Sequence, residues 1–243
     1  MPLSRFFKIL DTVDSTNNYA MEKVREGTAE HGQAWFAREQ TSGKGQRGRS
    51  WQSQGGKNIA MSIVFEPELP GISDGFHLSA MVALTCHDFL TKYTDDECRI
   101  KWPNDLYWRD RKAGGILIEN NYQGSEWKYA IVGIGINVNQ TKFNDDIKNP
   151  VSFRQITGRE FDAASLAEEL YEMLMKRFET ADAPFKTSLK KYNQHLYGLN
   201  KLVKLKKDNY LFETVIKEVN AAGQLVTVDA IERVFDFGSV VWV

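Results

Sequence analysis

The stretch Gln40-Thr-Ser-Gly-Lys-Gly-Gln-Arg-Gly-Arg-Ser-Trp51 constrains this chain more than any other, because it packs three glycines and the cations Lys44, Arg47 and Arg49 into twelve positions. A segment of that composition has little to bury, so the rest of the chain must supply a scaffold that carries it as a loop. Glycine permits positive φ and close backbone approach, and alternating cations suit phosphate or carboxylate; together they describe a loop that wraps an anion. The composition is equally compatible with a solvated basic loop. Two phosphate motifs do not fit. Gly43-x-Gly45-x-x-Gly48 has the spacing of a dinucleotide fingerprint, but no amphipathic helix follows it. A P-loop fails because Arg38 stands at its first glycine and Gly45 stands where Ser or Thr would meet magnesium.

The scaffold is readable on both sides of the loop. An alternating, aromatic-rich run over 5–13 predicts a strand, and Asp14-Ser15 offers cap oxygens to a helix over 17–25 that Gly27 stops. Further strands are expected at 33–38, 59–65, 99–102, 115–119 and 129–138, several of them apolar almost throughout, as in a covered sheet. Helical spacing of Phe76, Leu78, Met81, Val82, Leu84, Phe89 and Leu90 predicts a helix over 74–93, capped by Ser73 or Asp74. Another helix begins near Asp162, where Ser165-x-x-Glu168 reads as a capping box, and a further one follows Pro184. After Gly198, five short β-rich runs at 202–205, 212–219, 225–228, 234–237 and 240–243 read as a small barrel. These patterns divide the chain into domains 1–195 and 196–243 that pack together.

Composition narrows the function class. The 31 basic residues nearly cancel the 32 acidic ones, which argues against a surface-wide footprint for nucleic acid and makes any anion site local. Cys86 and Cys98 form no CxxC or Cys/His cluster, so neither a disulfide framework nor a zinc site is indicated. No secretory leader is readable, and no apolar run approaches the ~20 residues that cross a bilayer, so a cytoplasmic protein is expected.

Two further segments carry polar groups into the sheet. In Lys101-Trp-Pro-Asn-Asp105, Pro103 ends a strand and leaves Asn104 and Asp105 where a carboxylate can hold a cation or metal-bound phosphate. Lys112 precedes Gly114, Gly115 and an apolar strand, and projects toward an anion at the strand mouth; an ordinary hairpin with polar turn residues explains each singly. In Ile131-Val-Gly-Ile-Gly-Ile-Asn-Val138 two glycines weaken a strand unless something approaches its backbone. Asn137 then meets a ribose or phosphate, or is a satisfied core amide beside a bulge.

Taken together, Ser15-Thr-Asn17, Gly43-Lys-Gly-Gln-Arg-Gly-Arg49, Lys101-Trp-Pro-Asn-Asp105, Lys112-Ala-Gly-Gly-Ile116 and Gly133-Ile-Gly-Ile-Asn137 resemble, in order and spacing, the biotin–protein ligase (biotin–[acetyl-CoA-carboxylase] ligase) family. The likeness covers roughly residues 10 to 140, and the β-rich tail is similar to that family's SH3-like domain. The resemblance implies an α+β, class II synthetase-like catalytic domain, a mixed sheet flanked by helices. It also implies ATP-dependent activation of biotin, with Mg2+, to biotinyl-5′-AMP, and transfer to a lysine of a biotin carboxyl carrier protein. By position it assigns Ser15, Thr16, Asn17, Gln40, Gly43, Lys44, Gly45, Gln46, Gly114 and Gly115 to biotin. Arg47, Arg49, Trp51, Asn104, Asp105 and Asn137 go to the nucleotide, with Asp105 also toward the metal. Lys112 serves both substrates, and Lys112, Arg49 and Asp105 are the expected catalytic residues.

The family loop often reads Gly-Arg-Gly-Arg-x-Gly-Arg, so Lys44 and Gln46 here replace two arginines, removing a bidentate contact and a charge. Family repressors carry a preceding helix-turn-helix domain; this chain starts at the catalytic strand, so no DNA binding is expected, and the enzyme is a monomer or homodimer without membrane partners. Two rivals compete: a lipoate or octanoate ligase or transferase of the same fold, and a nucleic-acid module stacking bases on Trp35, Trp51 and Tyr107. A cysteine-dependent transferase needs a thiolate, and neither cysteine sits in a motif. The scattered histidines His31, His77, His87 and His195 receive no role.

Overall fold

A computed structural model describes residues 5–67, 72, 74–144, 147–179 and 185–243; the expected cap at Ser73 and helix start at Pro184 lie outside the described residues. The elements run β1 (Phe7–Val13), α1 (Thr16–Arg25), β2 (Ala34–Gln40), a 3₁₀ turn (Gln46–Gly48), β3 (Ile59–Phe65), α2 (Gly75–Tyr93), β4 (Cys98–Lys101), β5 (Asp105–Trp108), β6 (Arg111–Gln123) and β7 (Glu126–Ile136). There follow α3 (Phe153–Thr157), α4 (Ala163–Glu179), α5 (Phe185–Gln194), β8 (Leu202–Lys207), β9 (Tyr210–Val219), β10 (Leu225–Val228), β11 (Glu232–Phe235) and β12 (Val241–Trp242).

Strands β1 to β7 form one seven-stranded sheet in the order β1-β2-β3-β7-β6-β5-β4. Its β1–β2 pair is parallel and its other pairs are antiparallel, so it is mixed, as expected. Side chains alternate across a strand, and that alternation sorts the core. Phe36, Ile63, Phe65 and Val132 face α2 and α4, whereas Trp35, Val64 and Ile131 face α1. Helix α2 is sandwiched between sheet and helices; Asp74 caps it by accepting from the amides of Phe76 and His77. Each fully buried Leu, Val or Phe there contributes ~1.5–3 kcal/mol relative to exposure.

Several local expectations needed correction. Strand β5 and the full length of the β6–β7 hairpin exceed what alternation signalled, because their outer halves carry polar residues supported by cross-strand pairing. The Ser165 capping box is displaced: Asp162 accepts from the Ser165 amide at 2.8 Å, and a complete box sits instead at Ser152 and Gln155 of the short α3. Ser15 flanks α1 but makes no side-chain cap.

The C-terminal strands form a five-stranded antiparallel sheet, β11-β10-β9-β8-β12. It is seated on the larger sheet through Trp102, whose Nε1 donates to Gly223 O at 2.9 Å, and through Trp242 Nε1, which donates to Trp102 O at 3.3 Å. Asn193 at the end of α5 adds a two-way bond with the Val219 backbone. Among the described residues, no helix is long and apolar enough to cross a membrane.

Candidate active site

On the α1 face, β7 presents Ile131, then Gly133, then Gly135, and the two glycines leave the sheet floor open. A methyl group on Gly133 would overlap the Asn17 side chain, and one on Gly135 would overlap the Trp51 indole. The approach that the strand glycines require is therefore made by two side chains of the same molecule. Around this floor lies a cavity of about 810 Å³, walled by α1, the loop after β2, the β4–β5 turn, β6, β7 and the small sheet.

One end of the cavity is a buried polar network. Thr16 donates from its amide (2.8 Å) and its hydroxyl (3.1 Å) to Gln40 Oε1. Ser62 Oγ lies 2.7 Å from Thr16 Oγ1 and 2.6 Å from Asn17 Oδ1. Asn17 Nδ2 donates to Glu119 Oε2 at 2.7 Å, and the other oxygen of Glu119 stands 3.5 Å from Lys44 Nζ. Ser62 and Glu119 escaped sequence reading: the first lies within an apolar strand, and the second closes the strand expected over 115–119 although it stands well inside β6.

The other end is cationic. Lys112 Nζ pairs with Asp105 Oδ1 at 2.6 Å, the two side chains standing on β6 and β5. The Lys112 backbone is clamped by the segment after β7, with Lys112 N donating to Asn149 O and Val151 N donating to Lys112 O. Lys101, also missed, lies over the rings of Tyr107, Tyr197 and Trp242 and is 3.3 Å from Tyr107 Oη. Burial lowers its pKa from 10.5 to about 8, and Lys148 and Lys112 push the same way against Asp105.

The loop closes on itself. Lys44 bridges Ser50, Gly45 N donates to Arg49 O at 2.7 Å and Trp51 N to Gly43 O at 2.8 Å, with Arg47 (φ 57) and Gly48 (φ 74) at the apex. Gly43 is needed because a Cβ there would press on the Trp51 carbonyl. Trp51 Nε1 and Gln46 Oε1 are buried without a protein hydrogen-bond partner among the described residues, and both residues line the cavity.

Of the residues singled out from sequence, Ser15, Thr16, Asn17, Gln40, Lys44, Gly45, Gln46, Arg47, Arg49, Trp51, Asn104, Asp105, Lys112 and Gly115 line this one cavity. Gly43, Gly114 and Asn137 do not: Gly43 seats Trp51, and Gly114 packs on the Gly135 backbone. Asn137 is 4% exposed and donates to Lys112 O and Val151 O. Phe237, Gly238, Val240, Val241 and Trp242 of the small sheet also line the cavity; no local motif announces them.

The profile of the biotin/lipoate A/B protein ligase family matches residues 9–137, more than half of the chain. The chain belongs to that family. The biotin--[acetyl-CoA-carboxylase] ligase of Paracoccus denitrificans is 34% identical over 186 residues, 74% of each protein. The bifunctional ligase/repressor BirA of Escherichia coli is 34% identical over 141 residues, 58% of this chain, which spans only 43% of that relative. A biotin protein ligase from Aquifex aeolicus, solved with biotin and ATP, superposes with a TM-score of 0.82 at 25% identity, covering 98% of both chains. Trp35 and Tyr107 are buried, 2% and 7% exposed, so they offer no stacking platform. Burial raises the thiol pKa of both Cys86 and Cys98, which suits core residues and not thiolate nucleophiles.

Proposed function

We propose that this protein is an ATP-dependent biotin–protein ligase that forms biotinyl-5′-AMP and passes the biotinyl group to a lysine of a biotin carboxyl carrier protein. The observation that carries the reading is the shared cavity. Its hydrogen-bonding end is lined by Thr16, Asn17 and Gln40, with Ser62 buried behind them, and its cationic end by Lys112, Arg49 and Lys101 beside the closed loop. An uncharged ureido ring with a carboxylate tail, joined to a nucleotide, has that polarity; the relatives named for biotin support the same choice.

In the first half-reaction a carboxylate oxygen attacks the α-phosphorus, and the bond to pyrophosphate breaks. Biotin is already ionised at neutral pH, so no general base is required. Charge must be stabilised where it moves, on the phosphorus oxygens and the leaving group, and fixed cations in a water-poor site do this best. Lys112 is the residue assigned to the biotin carboxylate and the α-phosphate, with Asp105 holding its ammonium in place beforehand. Arg49 belongs to the nucleotide side, where Trp51 offers an indole face and a free N–H, whereas the Arg47 guanidinium is taken up by the Gly238 carbonyl and the Phe237 ring. In the second half-reaction a neutral acceptor amine attacks the acyl carbon and AMP leaves. The closed loop serves by keeping water off the mixed anhydride in the interval.

Magnesium fits this site in one way. Asp105 and Asn104 stand together on the cavity wall, and no group of three His, Cys, Asp or Glu side chains exists among the described residues, so Asp105 would hold an ion carried on the nucleotide phosphates, with Asn104 nearby. Such an ion would neutralise charge on the phosphate oxygens. Retention of labelled biotin as an acid-labile adenylate, with lipoate as competitor, tests the reading; retention of lipoate instead moves the assignment to the other branch of the family.

A further inference from the structure

The apex of the loop is held by a contact that the adenylation reading does not require. Arg47 Nη1 donates to Gly238 O at 2.7 Å, and its guanidinium carbon lies 5.4 Å from the centre of the Phe237 ring. Gly238, at φ 75, is where the chain turns between β11 and β12, and a methyl group there would overlap the Arg47 guanidinium. The seat is firm: Ser239 N and Oγ both donate to Asp236 O, and the Phe237 ring stands edge-on to Trp102 at 6.4 Å. Phe237 is 46% exposed and lines the cavity beside the loop apex. Arg47 itself sits at positive φ, a conformation a non-glycine residue holds only when its surroundings fix it.

We propose that Arg47 is a positioning residue, a latch that docks the loop apex on the Phe237–Gly238 turn so that the small sheet completes the roof of the cavity. The loop is pinned at its root by Lys44 on Glu119 and at its far end by Trp51 on Gly135, and the Arg47 dock fixes the span between them. The cation–π face and the carbonyl acceptor both come from the C-terminal sheet, so loosening that turn opens the loop without touching its ends. That the opening shortens the life of an acyl-adenylate rests on the proposed ligase function; the latch does not.

Limited trypsin digestion of the full chain without ligands, with cleavage after Arg49 followed by mass spectrometry, separates the two claims. Cleavage of a transiently opened loop tracks the open population, so Phe237→Ala is expected to raise it about tenfold while Phe237→Tyr, which keeps the ring, stays within about twofold of wild type. If Phe237→Ala also speeds cleavage at Lys206 and Lys207, the whole small sheet has loosened, and Arg47→Gln read at Arg49 decides in its place. Equal loop cleavage in wild type and Arg47→Gln overturns the latch. With biotin, ATP and magnesium, Phe237→Ala is expected to discharge adenylate into water about tenfold faster than wild type. A wild-type protein that forms no adenylate with any acyl acid sinks the ligase reading, and leaves the digestion to judge the latch.

Discussion

The ammonium of Lys112 lies 2.6 Å from the carboxylate of Asp105, across neighbouring strands on the wall of the cavity. Both side chains keep about a quarter of their surface, 26% and 25%, so water screens the pair and its net contribution to stability is small, ~0–1 kcal/mol. Its value is positional. Lys112→Met is expected to lower the rate of adenylate formation by roughly 10²–10³, in line with removal of one preorganised charge-stabilising group. The melting midpoint should stay close to wild type. Asp105→Asn should cost rate less than Lys112→Met. Equal rates in wild type and Lys112→Met would remove Lys112 from the chemistry.

Lys101 supplies a pH signature. Its pKa is lowered from 10.5 to about 8 by burial. Below pH 8 the side chain is charged in folded and unfolded chains alike, and the folded state bears the full cost of burying that charge. Between about 8 and 10.5 the unfolded chain holds more protons than the folded one, so this group makes stability rise with pH over that window, and the gain is complete above it. Wild type should therefore gain on Lys101→Met in thermal melts from pH 8 to 10. Parallel curves would show that Lys101 titrates normally.

The elements were legible where one physical signal sufficed. β3 is buried throughout and apolar except for Ser62, and Asp74 stands at the start of α2 as an obvious cap. The motif segments that converge on the cavity were legible because glycines and cations have no business in a buried sheet unless something uses them. What stayed hidden depends on pairing. Ser62 matters only because β3 sets it beside Thr16 and Asn17, Glu119 only because it bridges Asn17 and Lys44, and Lys101 only because Tyr197 and Trp242 arrive from beyond the catalytic strands. The strand glycines were read correctly as sites of close approach, but the approaching groups proved to be Asn17 and Trp51.

Those glycines give a paired test. Gly133→Ala forces Asn17 aside and Gly135→Ala lifts Trp51 from the sheet. Overpacking of this kind costs ~1–3 kcal/mol. Gly133→Ala should chiefly weaken biotin affinity, while Gly135→Ala should chiefly weaken ATP affinity and shift tryptophan fluorescence. Calorimetric titration of each ligand reads the split; identical losses for both ligands in both variants would contradict the two-ended cavity.

Gln46 offers a gain of function. Its Oε1 is buried in the cavity wall without a partner, and no charge stands at this position. Gln46→Arg adds a guanidinium able to make bidentate contact with a phosphate, and a charge-assisted hydrogen bond of ~1.5–3 kcal/mol corresponds to adenylate release slowed by roughly tenfold or more. Chase of preloaded labelled biotin with excess cold biotin measures the release; unchanged or faster release would place the Gln46 side chain away from the phosphate.

The most direct test of the central claim is biotin-dependent exchange of labelled pyrophosphate into ATP by the purified protein with magnesium. The account predicts exchange with biotin, little with lipoate, and near-complete loss in Lys112→Ala. Absence of exchange with any acyl acid in the wild-type protein would contradict it.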